Sequence, residues 1–136
     1  MGCGRVGSRL AQELSEQDHE VTIIDRDQTK LNLAATRGML DPAAFKGNVI
    51  VGDGTDAEVL RRSGIEDADA FVAVTEGDNR NIMAAQIAQH VFKVPRVVCR
   101  IYDPVREEAY RKLGLNTYCP TVVGADTVTR MLMEGE

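Results

Sequence analysis

The chain has 136 residues, 43% hydrophobic and 27% charged, with a net charge of -5, a size and balance that suit one soluble domain with one core. The acidic balance argues against nucleic acid as a partner, and no apolar run reaches the roughly 18–20 residues of a membrane helix, so no direct membrane insertion is expected. No basic segment leads into a small-residue cleavage site of the secretory kind, which makes the cytoplasm the expected compartment.

In chain order, the first feature is Gly2-Cys3-Gly4-Arg5-Val6-Gly7, which opens a helix over 5–17 with Val6, Leu10 and Leu14 on one stripe. A strand over 21–25, rich in β-branched residues, precedes a helix over 28–37. Then come a strand over 48–51, a helix over 56–63 carrying Val59 and Leu60, and a strand over 70–74. A long helix over 79–92 carries Ile82, Ala85, Ile87, Ala88 and Val91, and a strand over 96–101 follows it. The helix over 104–113 opens with proline at its first position. A weaker fifth strand covers 116–119. Gly38, Gly64 and Gly114 stand where helix ends need a residue tolerant of positive φ. The strands are nearly continuous apolar runs, as for parallel strands covered on both faces. This alternation predicts a Rossmann-like α/β fold, a doubly wound parallel sheet in three αβα layers. Three cysteines, Cys3, Cys99 and Cys119, lack metal-ligand spacing and read as buried, reduced small hydrophobes.

A Rossmann unit places a strand before its glycine loop, yet only Met1 precedes Gly2. The strands at Val21 and Ala70 would flank a gap of unpaired backbone groups. The sequence therefore predicts either residues upstream of Met1 or a start assigned at an internal methionine.

In G-x-G-x-x-G, the first glycine permits the turn, the second lets a pyrophosphate approach, and the third packs helix against strand. The helix N-terminus beyond Gly4 offers N–H groups and the positive dipole end to phosphate. Asp25 ends the next strand, 23 residues after Gly2, where a carboxylate accepts from both ribose hydroxyls. A strand-end aspartate capping the following helix is the plainer reading of it. The same carboxylate repels a 2′-phosphate, a repulsion that Arg26 softens. In Gly52-Asp53-Gly54-Thr55-Asp56, Asp53 is expected to accept from an adenine amino group, with the Gly54 and Thr55 backbone at the ring edge. Alternatively Thr55 caps the next helix and Gly54 serves the turn. Thr75-Glu76-Gly77-Asp78-Asn79 lies across the crevice, with Asp78 open to either helix capping or ligand contact.

These motifs, with Leu60–Ala68, Ala70–Ile82, Arg96–Pro104, Leu113-Gly114 and Pro120, resemble the RCK domains, also called KTN or TrkA-N domains, across essentially the whole chain. The resemblance implies a single N-lobe over 1–136, without the second lobe that often follows. It implies a cytoplasmic regulatory domain, peripheral to the membrane, serving a potassium channel or a Trk/Ktr-type potassium transporter. It further implies binding of NAD(H), ATP or ADP, with Gly2, Cys3, Gly4, Arg5, Val6 and Asp25 on phosphates and ribose and Thr75, Glu76 and Arg100 completing the site. Arg5 matches an arginine that in some relatives reaches a terminal phosphate in a neighbouring subunit; otherwise it is an exposed first-turn arginine. Arg100 and Tyr102 occupy the positions where calcium-sensing relatives carry carboxylates, so no metal is expected. The apolar content of residues 121–134 points to a helix that pairs subunits in a homodimer or higher oligomer, or else packs on its own sheet.

The competing class is an NAD-dependent oxidoreductase cofactor domain. It needs a proton donor or acceptor beside the nicotinamide. His19 and His90 read as surface residues, and neither Tyr102 nor Tyr110 has a lysine four residues on. No enzymatic role is expected, and the sequence does not separate NAD(H) from ATP or ADP.

Overall fold

The computed structural model describes residues 1–38, 40–41 and 45–134. Its elements run α1 (Arg5–Glu16), β1 (Thr22–Asp25), α2 (Gln28–Thr36), β2 (Asn48–Val51), α3 (Ala57–Arg62) and a 3-10 turn (Ile65–Asp67). Then follow β3 (Ala70–Ala73), α4 (Asp78–Gln86) with a π-helical turn (Ile87–Val91), β4 (Arg96–Arg100), α5 (Pro104–Lys112), β5 (Thr117–Tyr118) and α6 (Pro120–Glu134). Every expected element is present within a few residues of its expected limits. Gly38, Gly64 and Gly114 have φ of 70°, 90° and 97°, the left-handed conformation expected of them.

All strand pairs are parallel. β1 pairs with β2, Thr22 opposite Asn48, and β3, β4 and β5 form a second sheet with Ala70 opposite Arg96 and Cys99 opposite Thr117. Between β1 and β3 stand Met1 and Gly2. The Gly2 amide donates to Ile24 O at 2.8 Å, the Met1 amino group to Val72 O at 2.7 Å, and the Val74 amide to Met1 O at 3.0 Å. The order across the fold is thus β2, β1, the Met1–Gly2 segment, β3, β4, β5. Strand order reverses at that segment, and a crevice opens at the carboxyl ends there, as in other doubly wound sheets.

Neighbouring residues of a strand point to opposite faces. Ile23 belongs to a cluster with Cys3, Ala11, Leu31, Ala34 and Leu40. Ile24 belongs to the larger cluster with Leu60, Phe71, Ile82, Ala85, Cys99 and Ile101. Helices therefore cover both faces of β1, α1 and α2 on one and α3 and α4 on the other.

Three expectations need correction. The buried stripe of α1 is Gly7, Ser8, Ala11 and Ser15, while Val6 is 40% exposed. A helix this close to the sheet has room only for small side chains: a Cβ on Gly7 would overlap the Gly2 carbonyl oxygen. Second, β2 is not covered on both faces, since Val49 and Val51 are exposed. Third, the long helix gives way to a π turn, in which the Phe92 amide reaches Ile87 O five residues back. Cys3, Cys99 and Cys119 are buried and unpaired, as expected.

Candidate functional site

The turns after the strands position the site. Helices α2, α3 and α5 open on Asp27, Asp56 and Asp103, each accepting from the amide two residues on, in Thr29, Glu58 and Val105. This satisfies one of the orphan donors of each helix. Helices α1 and α4 differ. Their N-caps are Gly4 and Gly77, and neither has a side-chain cap. The first intrahelical acceptors are Gly4 O, reached by Ser8, and Gly77 O, reached by Asn81. The N–H groups of Arg5, Val6 and Gly7, and of Asp78, Asn79 and Arg80, thus have no acceptor within their helices. Nothing lies within 4 Å of where a Gly4 Cβ would be, so the approach to that end of α1 is open. Gly2 is buried at φ 102° against the Thr75 amide, which leaves no place for a side chain.

Asp25 joins the loop to the strand end. It is 7% exposed; Oδ2 accepts from the Cys3 amide at 2.7 Å and Oδ1 from the Asp27 amide at 2.8 Å. Asp25 therefore does not cap α2, a role that falls to Asp27. It fixes the glycine loop against β1, and each oxygen keeps acceptor capacity for a hydroxyl. Burial, with Asp25 as a second cause, raises the pKa of the Cys3 thiol, and burial pushes Cys99 up to about 12. Both thiols are thereby kept protonated and unreactive.

A cleft of about 320 Å³ runs beside these groups. Its walls include Asp25, Arg26, Gly54, Thr75 and Glu76 from the expected set, and add Asp27, Lys30, Gly77 and Arg80. Asp53 and Thr55 flank the lining residue Gly54 but are not themselves among the lining residues. Asp53 Oδ1 accepts from the Thr55 amide at 2.9 Å, the Thr55 hydroxyl at 2.7 Å and Arg80 Nη2 at 3.1 Å. The Thr55 hydroxyl, then its amide, and to a lesser degree Arg80 hold the Asp53 pKa below the ordinary carboxylate value. Thr55 does not cap α3, because Asp56 does.

On the far wall the Asn81 side chain, fully buried, organises the turn. Its Oδ1 accepts from the Thr75 amide at 2.9 Å and hydroxyl at 2.6 Å, and its Nδ2 donates to Thr75 O and Arg100 O. Asp78 is not the cap of α4; its carboxylate accepts from the Tyr102 amide at 2.9 Å and the Asp103 amide at 3.3 Å, tying the β4–α5 loop. Arg100 is 6% exposed, donates from Nη2 to Thr75 O at 2.7 Å, and lies 4.8 Å from the centre of the Tyr102 ring. Its Nε has no partner among the described residues. Such a buried cation next to a cleft wall is suited to an anion. Arg5 is exposed at the start of α1.

Sequence reasoning missed Lys30, Arg80 and Asn81. Each sits in the first turn of a helix that leaves the carboxyl end of a strand, and that position was the available signal.

A family model described as the TrkA-N domain matches residues 1–120. The Trk system potassium uptake protein TrkA of Streptomyces coelicolor is 46% identical over 133 residues, covering 98% of this chain and 56% of that protein. The TrkA homolog of Methanothermobacter thermautotrophicus is 36% identical over 116 residues, 85% of this chain and 50% of that protein. The chain thus spans about half the length of these relatives. Among solved structures, the Kef CTD of Shewanella denitrificans in AMP-bound form has a TM-score of 0.77 at 20% identity, covering 99% of this chain and 79% of that one. GsuK bound to ADP gives 0.62 at 20% identity, over 98% and 39%. At these identities the structural likeness speaks for the fold.

Proposed function

This chain belongs to the TrkA-N domain family, and from that premise we propose that it is the nucleotide-sensing part of a potassium uptake regulator. The observation that carries this reading is the convergence, at the point where strand order reverses, of two glycine-capped helix ends and a buried carboxylate. The α1 end takes phosphate, as helix N-termini do. Asp25 takes the ribose hydroxyls, and its charge disfavours a 2′-phosphate. Gly2, Cys3, Gly4, Arg5 and Val6 form the phosphate side of the site. Arg26, Thr75, Glu76 and Arg100 complete it, and Asp53, Gly54 and Thr55 form the adenine side. The ligand is an adenine nucleotide, NAD(H) or ATP/ADP, as the AMP and ADP of the structural neighbours also suggest. The domain carries out no chemical step.

Regulation requires that the ligand distinguish two arrangements of the protein. Helix α6 supplies the means. It has no buried residue, and Val128, Met131, Leu132 and Met133 are more than half exposed. This face fits a second copy of the chain, with Arg5 reaching a terminal phosphate across subunits and the assembly acting on a membrane potassium transporter or channel. The protein then works at the cytoplasmic face of the membrane through that partner; among the described residues no helix is long and apolar enough to span a bilayer.

The test is calorimetry with ADP, ATP and NADH on protein freed of co-purified nucleotide, beside an NADH oxidation assay with small carbonyl substrates. Saturable binding of at least one nucleotide without turnover is expected. Absence of binding, or hydride transfer that a change in the cleft abolishes, would overturn the reading.

A further inference from the structure

Two ion pairs link the half-sheets at the cleft, Arg80–Asp53 and Lys30–Glu76, and they differ in kind. Arg80 Nη2 lies 3.1 Å from Asp53 Oδ1, which the Thr55 amide and hydroxyl also hold. That pair is fixed in place by its neighbours. Lys30 Nζ lies 3.7 Å from Glu76 Oε1, beyond ordinary hydrogen-bond length, and the Glu76 side chain is 81% exposed while that of Lys30 is 35% exposed. A loose pair so open to water contributes little and is easily exchanged.

Lys30 lies in the first turn of α2, beside β1, and Glu76 in the turn after β3. The pair therefore spans the two half-sheets, which meet at Met1 and Gly2. Both residues line the cleft. The other charged residues of the wall are Asp25, Arg26, Asp27 and Arg80; Asp25 and Asp27 are bound to backbone amides, Arg80 to Asp53, and Arg26 is exposed whereas Lys30 is half-buried. Lys30 is thus a cleft cation whose partner is both weak and replaceable. A phosphate entering the cleft is a better counter-ion than Glu76, because charge-assisted bonds out of water are the stronger ones. It is also repelled by Glu76.

We propose that Lys30 is a specificity-determining residue of this cleft, held at rest by Glu76 and transferred to the 5′-phosphates of an anionic nucleotide when it binds. The inference rests on the nucleotide reading above and adds the residue that reads charge. Loss of the Lys30–Glu76 contact also frees one tie between the half-sheets, so occupancy and their coupling change together.

The experiment is calorimetry of the full chain with ADP and with adenosine, at low and moderate salt, for wild type, Lys30→Met and Glu76→Gln. Methionine keeps the apolar stem of Lys30 and removes its charge. Lys30→Met is expected to weaken ADP by about fivefold to tenfold and flatten its salt dependence, and to leave adenosine within about twofold. Glu76→Gln is expected to raise the ratio of ADP affinity to adenosine affinity by about twofold to threefold. Equal weakening of ADP and adenosine by Lys30→Met would assign Lys30 a merely structural role and overturn the proposal. So would a ratio of ADP to adenosine affinity unchanged in either variant. Wild type that binds neither ligand would instead refute the nucleotide reading itself.

Discussion

Replacing Asp25 by alanine tests the central joint of the site. The carboxylate accepts two backbone amides, from Cys3 at 2.7 Å and Asp27 at 2.8 Å, and the residue is 7% exposed. Hydrogen bonds to a charged group contribute about 1.5–3 kcal/mol each, and a buried amide left without an acceptor costs about 1–3 kcal/mol. Water can reach Asp27, which is exposed, more readily than Cys3, which is 1% exposed. A net loss of about 3 kcal/mol is the reasonable expectation. Over 136 residues, an unfolding entropy of about 2.1 cal/mol/K per residue turns that into a fall in Tm of about 10 °C. Ligand affinity falls in addition, because even one lost bond to the ribose removes about tenfold. The assay is thermal melting by circular dichroism with and without ADP, followed by calorimetry below the melting range. A variant that melts within about 2 °C of wild type would refute the account of the glycine loop as hung on Asp25. One that melts lower but binds ADP with unchanged affinity would refute its role toward ribose.

Two other outcomes follow from the geometry. The Asp53 carboxyl, its pKa lowered chiefly by Thr55, contributes stability that is fully present above the unfolded carboxylate value near about 3.9 and is lost as pH falls through the lower folded value. The Tm gap between wild type and Asp53→Asn should thus be constant from pH 8 to about pH 5 and shrink below about pH 4; a gap as large at pH 3 as at pH 7 would contradict this. Val128 and Leu132 lie one helical turn apart on α6, 57% and 78% exposed, and the double variant Val128→Glu, Leu132→Glu should sediment as a monomer where wild type at about 50 µM is a dimer or larger, in keeping with interfaces built on apolar patches. A wild-type monomer at that concentration would remove the assembly from the reading.

Much of this was legible because parallel strands and helix ends write themselves in local residues. Thr22-Ile23-Ile24-Asp25 is a strand by its β-branching and ends in the carboxylate that matters. Gly64 and Gly114 mark helix ends because side chains rarely adopt their φ. The misses share another cause. The α1 stripe was misjudged because hydrophobicity favours Val6 and Leu10, whereas the distance between helix and sheet is set by Gly7 against Gly2. Asp78 and Thr55 look alike as possible caps. The amides that Asp78 accepts are 24 and 25 residues away, and no local pattern points to them. Lys30 carries no motif, and the pairing of Lys30 with Glu76 and of Arg80 with Asp53 exists only once the two half-sheets stand side by side.

The absence of a side-chain cap on α1 bears on how this domain responds to selection or engineering for heat resistance. Gly4 sits at φ -83°, a conformation open to any residue, with no atom within 4 Å of a Cβ there. Serine or aspartate at that position would fit, bond the exposed amides and raise stability by roughly a few tenths of a kcal/mol. A library screened on thermal survival alone would therefore enrich such changes. Each would seal the helix end with its own oxygen, and aspartate would add a negative charge where the proposed nucleotide would bring its phosphates. The chain thus keeps a cheap stabilising substitution out of use, and on the proposed reading position 4 is where optimising the fold and keeping nucleotide binding part company.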